Sequence, residues 1–181
     1  MSNITIDQIG ELIAQGKSGR VTRELLQAFL RNPQSVNGKP SEYCVTIDYG
    51  MKLSEMIDAG HYDWKNGDIN EKNFPVTGEG TVEVSPELVH FDRVIGTSEV
   101  EAELDKMGLR PATIEELLAF GATYPDVQRE FPIIALGSSW VDRLGRRSVP
   151  FLCSLGSRRY LRLVWFDDLW LEFCRFLAVR K

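Results

Sequence analysis

The sequence predicts an α+β protein in which a helix-rich N-terminal part precedes a mixed sheet with two further helices. Apolar residues at helical spacing follow capping signals in residues 1–33 and again in residues 98–121. From residue 133 onward, short aromatic and β-branched runs alternate with turn sequences, which is typical of strands. A chain of 181 residues fits one domain with a small appendage. We therefore expect a helical hairpin over residues 1–38 and an α+β domain over residues 39–181.

Two helices are predicted in the N-terminal hairpin. The first begins at Thr5, which forms a capping box with Gln8. The second begins at Thr22 and ends before Pro33, because the residue before a proline avoids helical backbone angles. Their apolar positions are Ile6, Ile9, Leu12, Ile13, Leu25, Leu26, Phe29 and Leu30. The turn-rich segment that starts at Gln34 separates this hairpin from the main body.

The next region mixes a strand, a short helix and a long loop. EYCVTIDYG is a predicted strand, and MKLSEMIDAG is a predicted helix that ends at Gly60. Residues 61–80 form a long irregular stretch, and TVEV and LVHF after it are candidate strands. The stretch contains Asp63, Asn66, Asp68 and Asn70. Their spacing does not match a calcium-binding EF-hand, so no metal site is predicted there.

Two well-signalled helices follow, and each has a capping box at its start and a glycine at its end. The boxes and glycines are Ser98 with Glu101 and Gly108 for the first helix, and Thr113 with Glu116 and Gly121 for the second. Their apolar stripes are Val100, Leu104 and Met107, and Leu117, Leu118 and Phe120. Both helices are therefore expected to pack one face on the sheet.

The last 49 residues read as four strand-like runs, IIALGSSWV, SVPFLCSL, RYLRLVWF and FCRFLAVR. A turn is expected at Asp167 and Asp168, and the high aromatic content suits a pleated surface. A helix over residues 163–178 is the alternative, because apolar residues there also fall at helical spacing. They are Leu163, Phe166, Trp170, Phe173 and Leu177.

The end of the chain is unusually apolar for a terminus. As a strand, residues 173–180 would present largely apolar side chains on both faces. Such a strand is covered on both sides. We therefore expect it to be inserted between other strands or paired with an early one.

Three segments, in this order, carry a resemblance to a known family: GLRPATIEELLAFG, ALGSSW and CRFLAVRK. They resemble motifs of sulfatase-modifying-factor-like domains, which belong to the C-type-lectin-like fold. The resemblance covers residues 98–181 and implies that the closing strand pairs near the first strand of the domain. It also implies a ligand surface built from loops and strands of the C-terminal half. The ending is similar, too, to bacterial proteins without an assigned function.

The resemblance does not extend to chemistry. Pro111, Ala112 and Leu117 depart from the family pattern, and its calcium-and-sugar tripeptides are absent. Neither Cys153 nor Cys174 aligns with the catalytic cysteine pair of the formylglycine-generating members. The resemblance therefore implies the fold and not the oxidase activity.

The best candidate for recognition is GSRRYLRLVWFDDLW, which combines aromatics, guanidiniums and carboxylates. Tyrosine, tryptophan and arginine are the residue types that anchor protein interfaces. We expect a partner-facing patch on the last hairpin, whereas Trp165 is expected to lie inside. The expected patch residues are Arg158, Arg159, Tyr160, Asp167, Asp168 and Trp170.

Charge leaves a nucleic-acid role open. The chain has a net charge of −5, but residues 137–181 carry a net charge of +5. A basic part on an acidic chain is typical of either a phosphate-binding surface or attraction between parts of the protein or to a partner subunit. The alternating pattern of the basic residues favours the second.

We predict a non-enzymatic binding module that recognises a protein partner or associates with itself, without a cofactor or a metal. A cysteine-dependent hydrolase or oxidase that uses Cys153 or Cys174 is the first alternative, and a nucleic-acid-associated protein that uses the C-terminal arginines is the second. Only His61 and His90 are available to activate a thiol. No apolar run reaches membrane-spanning length and the N-terminus lacks a signal-peptide pattern, so a cytoplasmic location is expected.

Overall fold

The computed structural model describes residues 43–181, so the predicted helical hairpin over residues 1–38 lies outside the described residues. The helices are α1 Leu53–Ala59, α2 Thr97–Lys106, α3 Ile114–Thr123 and α4 Val127–Glu130. The strands are β1 Val45–Asp48, β2 Trp64–Lys65, β3 Thr81–Val84, β4 Glu87–Val89, β5 Ile95–Gly96, β6 Leu109–Pro111, β7 Ile133–Ile134, β8 Trp140–Val141, β9 Arg147–Leu155, β10 Arg158–Trp165, β11 Leu169–Trp170 and β12 Arg175–Arg180.

A large mixed sheet organises the domain, which confirms the α+β class. Its strand order is β2-β10-β9-β7-β12-β4, with β6 also paired to β12 and β8 also paired to β9. The pairs β2–β10 and β7–β12 are parallel and the others are antiparallel. Two small ribbons, β1–β3 and β5–β11, complete the architecture of the described residues.

The C-terminal strand β12 lies inside this sheet. It pairs with β4 on one side and with β7 and then β6 on the other, and residues 176–179 are buried. The prediction of an inserted strand is therefore confirmed. The alternative helix over residues 163–178 is wrong, because this stretch contains the end of β10, the short β11 and the start of β12.

Side-chain alternation along β12 explains why the strand is apolar on both faces. Leu177 and Val179 belong to one hydrophobic core, which α1 and α3 cover. Phe176 and Ala178 belong to a second core, which α2 covers. Since successive residues of a strand point to opposite faces, each pair of consecutive residues contributes one side chain to each core.

Helix α3 begins as its capping signal predicts. The Glu116 backbone N–H donates to the Thr113 hydroxyl, and the Thr113 N–H donates to the Glu116 carboxylate. The predicted end at Gly121 is wrong, because α3 continues to Thr123. Gly121 instead permits close packing: a Cβ atom there would lie 2.2 Å from the Tyr62 hydroxyl.

Helix α2 begins earlier than its sequence signal indicates. It starts at Thr97, directly after Gly96 of the β5–β11 ribbon, so the predicted capping box of Ser98 and Glu101 does not form its start. The predicted end is confirmed, since Gly108 follows the helix with a φ of 72°. Glycine adopts this left-handed angle without steric cost.

Candidate interaction surface

The six residues predicted to form the patch do not lie together. Arg158 and Tyr160 lie on one face of β10 and are at least partly exposed, whereas Asp167 and Asp168 are exposed in the turn after β10. Arg159 and Trp170 are only 6% and 4% exposed. The expectation of a single surface patch is therefore wrong for Arg159 and Trp170.

The buried guanidinium of Arg159 joins three elements. It donates to the carbonyl oxygens of Gly60 and Gly121, each at 2.6 Å, where α1 ends and the last turn of α3 begins. It also donates to Oε1 of Gln128 on α4 at 2.9 and 3.1 Å. Its charge thus faces helix carbonyl dipoles, which favour a cation at a helix C-terminus. This side chain holds the fold together and is not available to a partner.

Trp170 is a core residue for a similar reason. Its indole Nε1 donates to the Thr97 hydroxyl at 2.9 Å, and its ring packs edge-on against Phe176 at 5.8 Å between centroids. The same Thr97 hydroxyl donates to the Phe166 carbonyl oxygen. Trp170 therefore ties the β5–β11 ribbon to α2 and to the second core.

The open part of the sheet lies at its β2–β10–β9 edge. Tyr160 and Arg162 alternate with the buried Arg159 and Leu161, and therefore point to the opposite face from them. Trp64 of β2 is the register partner of Tyr160 on one side, and Cys153 of β9 is its partner on the other. We call this group the aromatic–arginine face and define it by Trp64, Cys153, Arg158, Tyr160 and Arg162.

The side chains of the aromatic–arginine face contact one another. The Trp64 and Tyr160 ring centroids are 6.3 Å apart, with an interplanar angle of 49°. The guanidinium carbon of Arg162 lies 5.8 Å from the Trp64 ring centroid, at the outer limit of a cation–π contact. Trp64 nevertheless remains 47% exposed. The face therefore presents a large aromatic ring beside a cation, on strands whose register fixes both.

Within residues 43–181, the position of the face explains why no hydrophobic core lies over it. Phe151 and Val164, on the same side of β9 and β10, pack at the border of the second core. Beyond them, toward β2, the described residues provide no further buried apolar cluster on this side of the sheet. In this part of the chain, the core that α2 covers ends before it reaches Trp64.

A concave surface lies elsewhere, between the loop after β2 and the β8–β9 hairpin. It encloses about 690 Å³ and is lined by Lys72, Trp140, Arg143 and Arg146, among others. Trp165, expected inside, is 54% exposed, and its ring lies 5.2 Å from the guanidinium of Arg146. Arg146 is paired with Asp142 at 2.6 Å.

The cysteines are not arranged as nucleophiles. Burial raises the pKa of both Cys153 and Cys174, with Arg162 acting in the opposite direction on Cys153. Cys44 is exposed, and its backbone N–H donates to the Tyr124 hydroxyl. The ring of His90 is engaged with the Glu172 carbonyl oxygen at 2.7 Å. A raised thiol pKa lowers the thiolate fraction at neutral pH, the reverse of what catalysis requires.

Two further properties concern residues 43–181 alone. No helix among them is long and apolar enough to cross a membrane. No cluster of three or more histidine, cysteine or carboxylate side chains suited to a metal ion is found in this part of the chain.

Comparison with known proteins returns no match to a family model, to a curated protein or to a solved structure. The geometry of the described residues is therefore the basis for assigning a function.

Proposed function

We propose that the protein is a non-enzymatic binding module that recognises a protein partner, or a second copy of itself, through the aromatic–arginine face. The observation that carries this proposal is a half-exposed tryptophan, Trp64, beside Tyr160 and Arg162 on a part of the sheet that neither hydrophobic core of the described residues includes. A few residues supply most of the binding energy at protein interfaces, and tryptophan, tyrosine and arginine are enriched among them. Exposed aromatic rings of this kind gain free energy when a partner removes them from water.

The rigidity of the supporting elements favours the same function. Tyr160 and Arg162 lie in the middle of β10, which pairs with β9 over its whole length. Trp64 is fixed by the parallel β2–β10 pairing and by the Asp63 N–H, which donates to the Arg159 carbonyl oxygen at 2.9 Å. Side chains held on paired strands lose less conformational entropy on binding than those on free loops.

The proposal extends to the fold family. We place the α+β domain in the C-type-lectin-like class. Support comes from the two helices α2 and α3, which precede a strand-rich half, and from the closing strand, which lies inside the sheet. One feature implied by the resemblance differs, since β12 pairs with β4, β6 and β7, whereas β1 pairs with β3. The expected cytoplasmic location stays a prediction.

Site-specific photo-cross-linking in living cells tests the proposed surface. A photoreactive phenylalanine replaces Arg158 on the face, and a control replaces Leu144, which is 77% exposed at the tip of the β8–β9 hairpin. We expect one defined adduct at position 158, with either another protein or a second copy of the chain, and no such adduct at position 144.

The adduct partner is then purified and titrated against the wild-type protein and against Trp64→Ala. Loss of an interface anchor costs at least about 2 kcal/mol, so the affinity should fall about 30-fold. The proposal is wrong if position 158 gives no defined adduct, or if Trp64→Ala binds the purified partner as tightly as the wild type.

A further inference from the structure

The charges of the described residues are distributed unevenly. Residues 43–136 carry 18 Asp and Glu residues and seven Lys and Arg residues, a net charge of −11, whereas residues 137–181 have a net charge of +5. Five of the eleven arginines in residues 43–181 pair with carboxylates. Arg158 and Arg162 of the aromatic–arginine face are among the six that do not.

Most arginines among residues 43–181 have a partner. Five form ion pairs with carboxylates, namely Arg93, Arg110, Arg129, Arg146 and Arg180. Arg159 and Arg175 donate to carbonyl oxygens, and Arg147 donates to the Ser139 hydroxyl. Neither Arg158 nor Arg162 forms an ion pair with a carboxylate of this part of the chain. Among the described residues, Arg162 lies over the Trp64 ring and interacts with the Cys153 thiol.

These two cations lie beside the exposed aromatic rings. Arg158, Tyr160 and Arg162 follow one another on the same side of β10, so their side chains form one row next to Trp64. Successive positions on one side of a strand are about 6.5–7 Å apart. Arg158 and Arg162 are two such steps apart, so carboxylates four residues apart in an extended peptide match them, and the side chain midway between these carboxylates faces Tyr160.

We propose that the partner presents a short acidic segment to the aromatic–arginine face. Its carboxylates pair with Arg158 and Arg162, while an apolar or aromatic side chain of the segment packs on Trp64 and Tyr160. This inference rests on the proposed function and adds the chemistry of the partner. A guanidinium binds a carboxylate through two parallel hydrogen bonds, which gives such a segment a defined orientation.

A short protein segment fits this surface better than a nucleic acid does. A nucleic acid carries a charge at every nucleotide, so a strand would continue from the two arginines onto the acidic remainder of the domain. Surface charges act over about 8 Å at physiological salt. A short segment therefore stays within the basic row and avoids the repulsion. Nucleic acid is the alternative outcome of the experiment.

The four tryptophans provide a site-resolved assay. Their indole N–H signals in ¹H–¹⁵N NMR spectra, assigned by Trp→Phe variants, report separate places. Trp64 reports the aromatic–arginine face, Trp140 and Trp165 report the groove beside the β8–β9 hairpin, and the buried Trp170 reports the integrity of the fold.

The full chain is titrated with three probes. The first is a short peptide of glutamates around one central phenylalanine, the second is the same peptide with glutamine in place of glutamate, and the third is a deoxythymidine oligonucleotide of the same net charge as the first. We expect the glutamate peptide alone to move the Trp64 signal, and added salt to weaken this binding.

Two double variants with the same change of charge distinguish binding at the aromatic–arginine face from a general electrostatic effect. Arg158→Glu with Arg162→Glu should weaken binding of the glutamate peptide by tenfold or more, because the carboxylates lose both partners. Lys72→Glu with Arg143→Glu, in the separate groove, should leave it within about twofold. An unchanged Trp170 signal shows that each variant is folded.

Each other outcome overturns the inference. Equal weakening in both double variants means unspecific attraction, and stronger binding of the oligonucleotide at Trp64 means nucleic-acid recognition. If no probe moves the Trp64 signal, the acidic chemistry is wrong. The proposed function then stands or falls on the cross-link at position 158, so the two failures are distinguishable.

Discussion

Replacing Arg159 with methionine should destabilise the domain severely. The substitution keeps an unbranched side chain of similar length but removes every donor of the guanidinium. The oxygens of Gly60, Gly121 and Gln128 then lose donors at 2.6–3.1 Å in a buried site. An acceptor left without a donor in the interior costs about 1–3 kcal/mol.

The size of the effect follows from two opposing contributions. Three acceptors at the lower half of that range sum to about 3–6 kcal/mol. Removal of the buried charge offsets part of this loss of stability, because burial lowers the pKa of Arg159 and so disfavours its charged form. We expect a net loss of about 3 kcal/mol, which lowers the melting temperature by about 10 °C for a domain of this size.

Urea denaturation followed by tryptophan fluorescence measures this loss. Arg158→Met is the matched control, because Arg158 is the preceding residue of the same strand and is exposed. It should change the free energy of unfolding by less than about 0.5 kcal/mol. Equal stability of the two variants would refute the view that Arg159 joins α1, α3 and α4.

Three further predictions concern stability and thiol chemistry. Tyr62→Phe should raise the free energy of unfolding by about 1 kcal/mol, because the buried Tyr62 hydroxyl has no hydrogen-bond partner among the described residues. Burial also raises the pKa of Tyr62. The stability that the neutral form of Tyr62 contributes through this shift is therefore complete below the unfolded pKa of about 10 and is lost as the pH rises above that value. In urea titrations at alkaline pH, the free energy of unfolding of Tyr62→Phe should therefore fall less than that of the wild type. Deletion of residues 175–181 should abolish cooperative unfolding, since three strands lose their partner; a sharp transition near the full-length melting temperature would contradict this. Mass-spectrometric mapping of alkylation should find Cys44 modified first and Cys174 last, and faster reaction of Cys153 in the native than in the unfolded chain would revive a cysteine-dependent enzyme.

The parts of the fold that the sequence predicts correctly depend on residues that are close to one another in the chain. The start of α3 is an example, because the side chains of Thr113 and Glu116 satisfy backbone groups three residues apart. The C-terminal strand is another, since its two apolar faces are visible in eight consecutive residues. The start of α2 is different. There the Thr97 hydroxyl contacts Phe166 and Trp170, which lie 69 and 73 residues away in the chain.

The same distinction applies to the candidate site. Period-two alternation along β10 places Arg159 on the side of Leu161 and Leu163, so the sequence did contain a signal that Arg159 faces the core. It contains no comparable signal for Trp64. That residue reaches Tyr160 only through a parallel pairing across 96 residues of chain, and it stands in a stretch without strand-like periodicity.

The existence of an open face follows from the dimensions of the elements. Six strands in the order β2-β10-β9-β7-β12-β4 span about 24 Å between the outermost strands, at about 4.8 Å per step. Helix α2 has 10 residues and is therefore about 15 Å long. In whichever direction it crosses the sheet, it leaves part of the width uncovered. The second core is centred on β12 and reaches β10 only at Val164, so the uncovered part is the β2 edge. Within residues 43–181, this face carries Trp64, Tyr160 and two arginines that have no carboxylate partner in that range. Exposed apolar surface rimmed by polar residues is typical of an interaction site, which agrees with the proposed function.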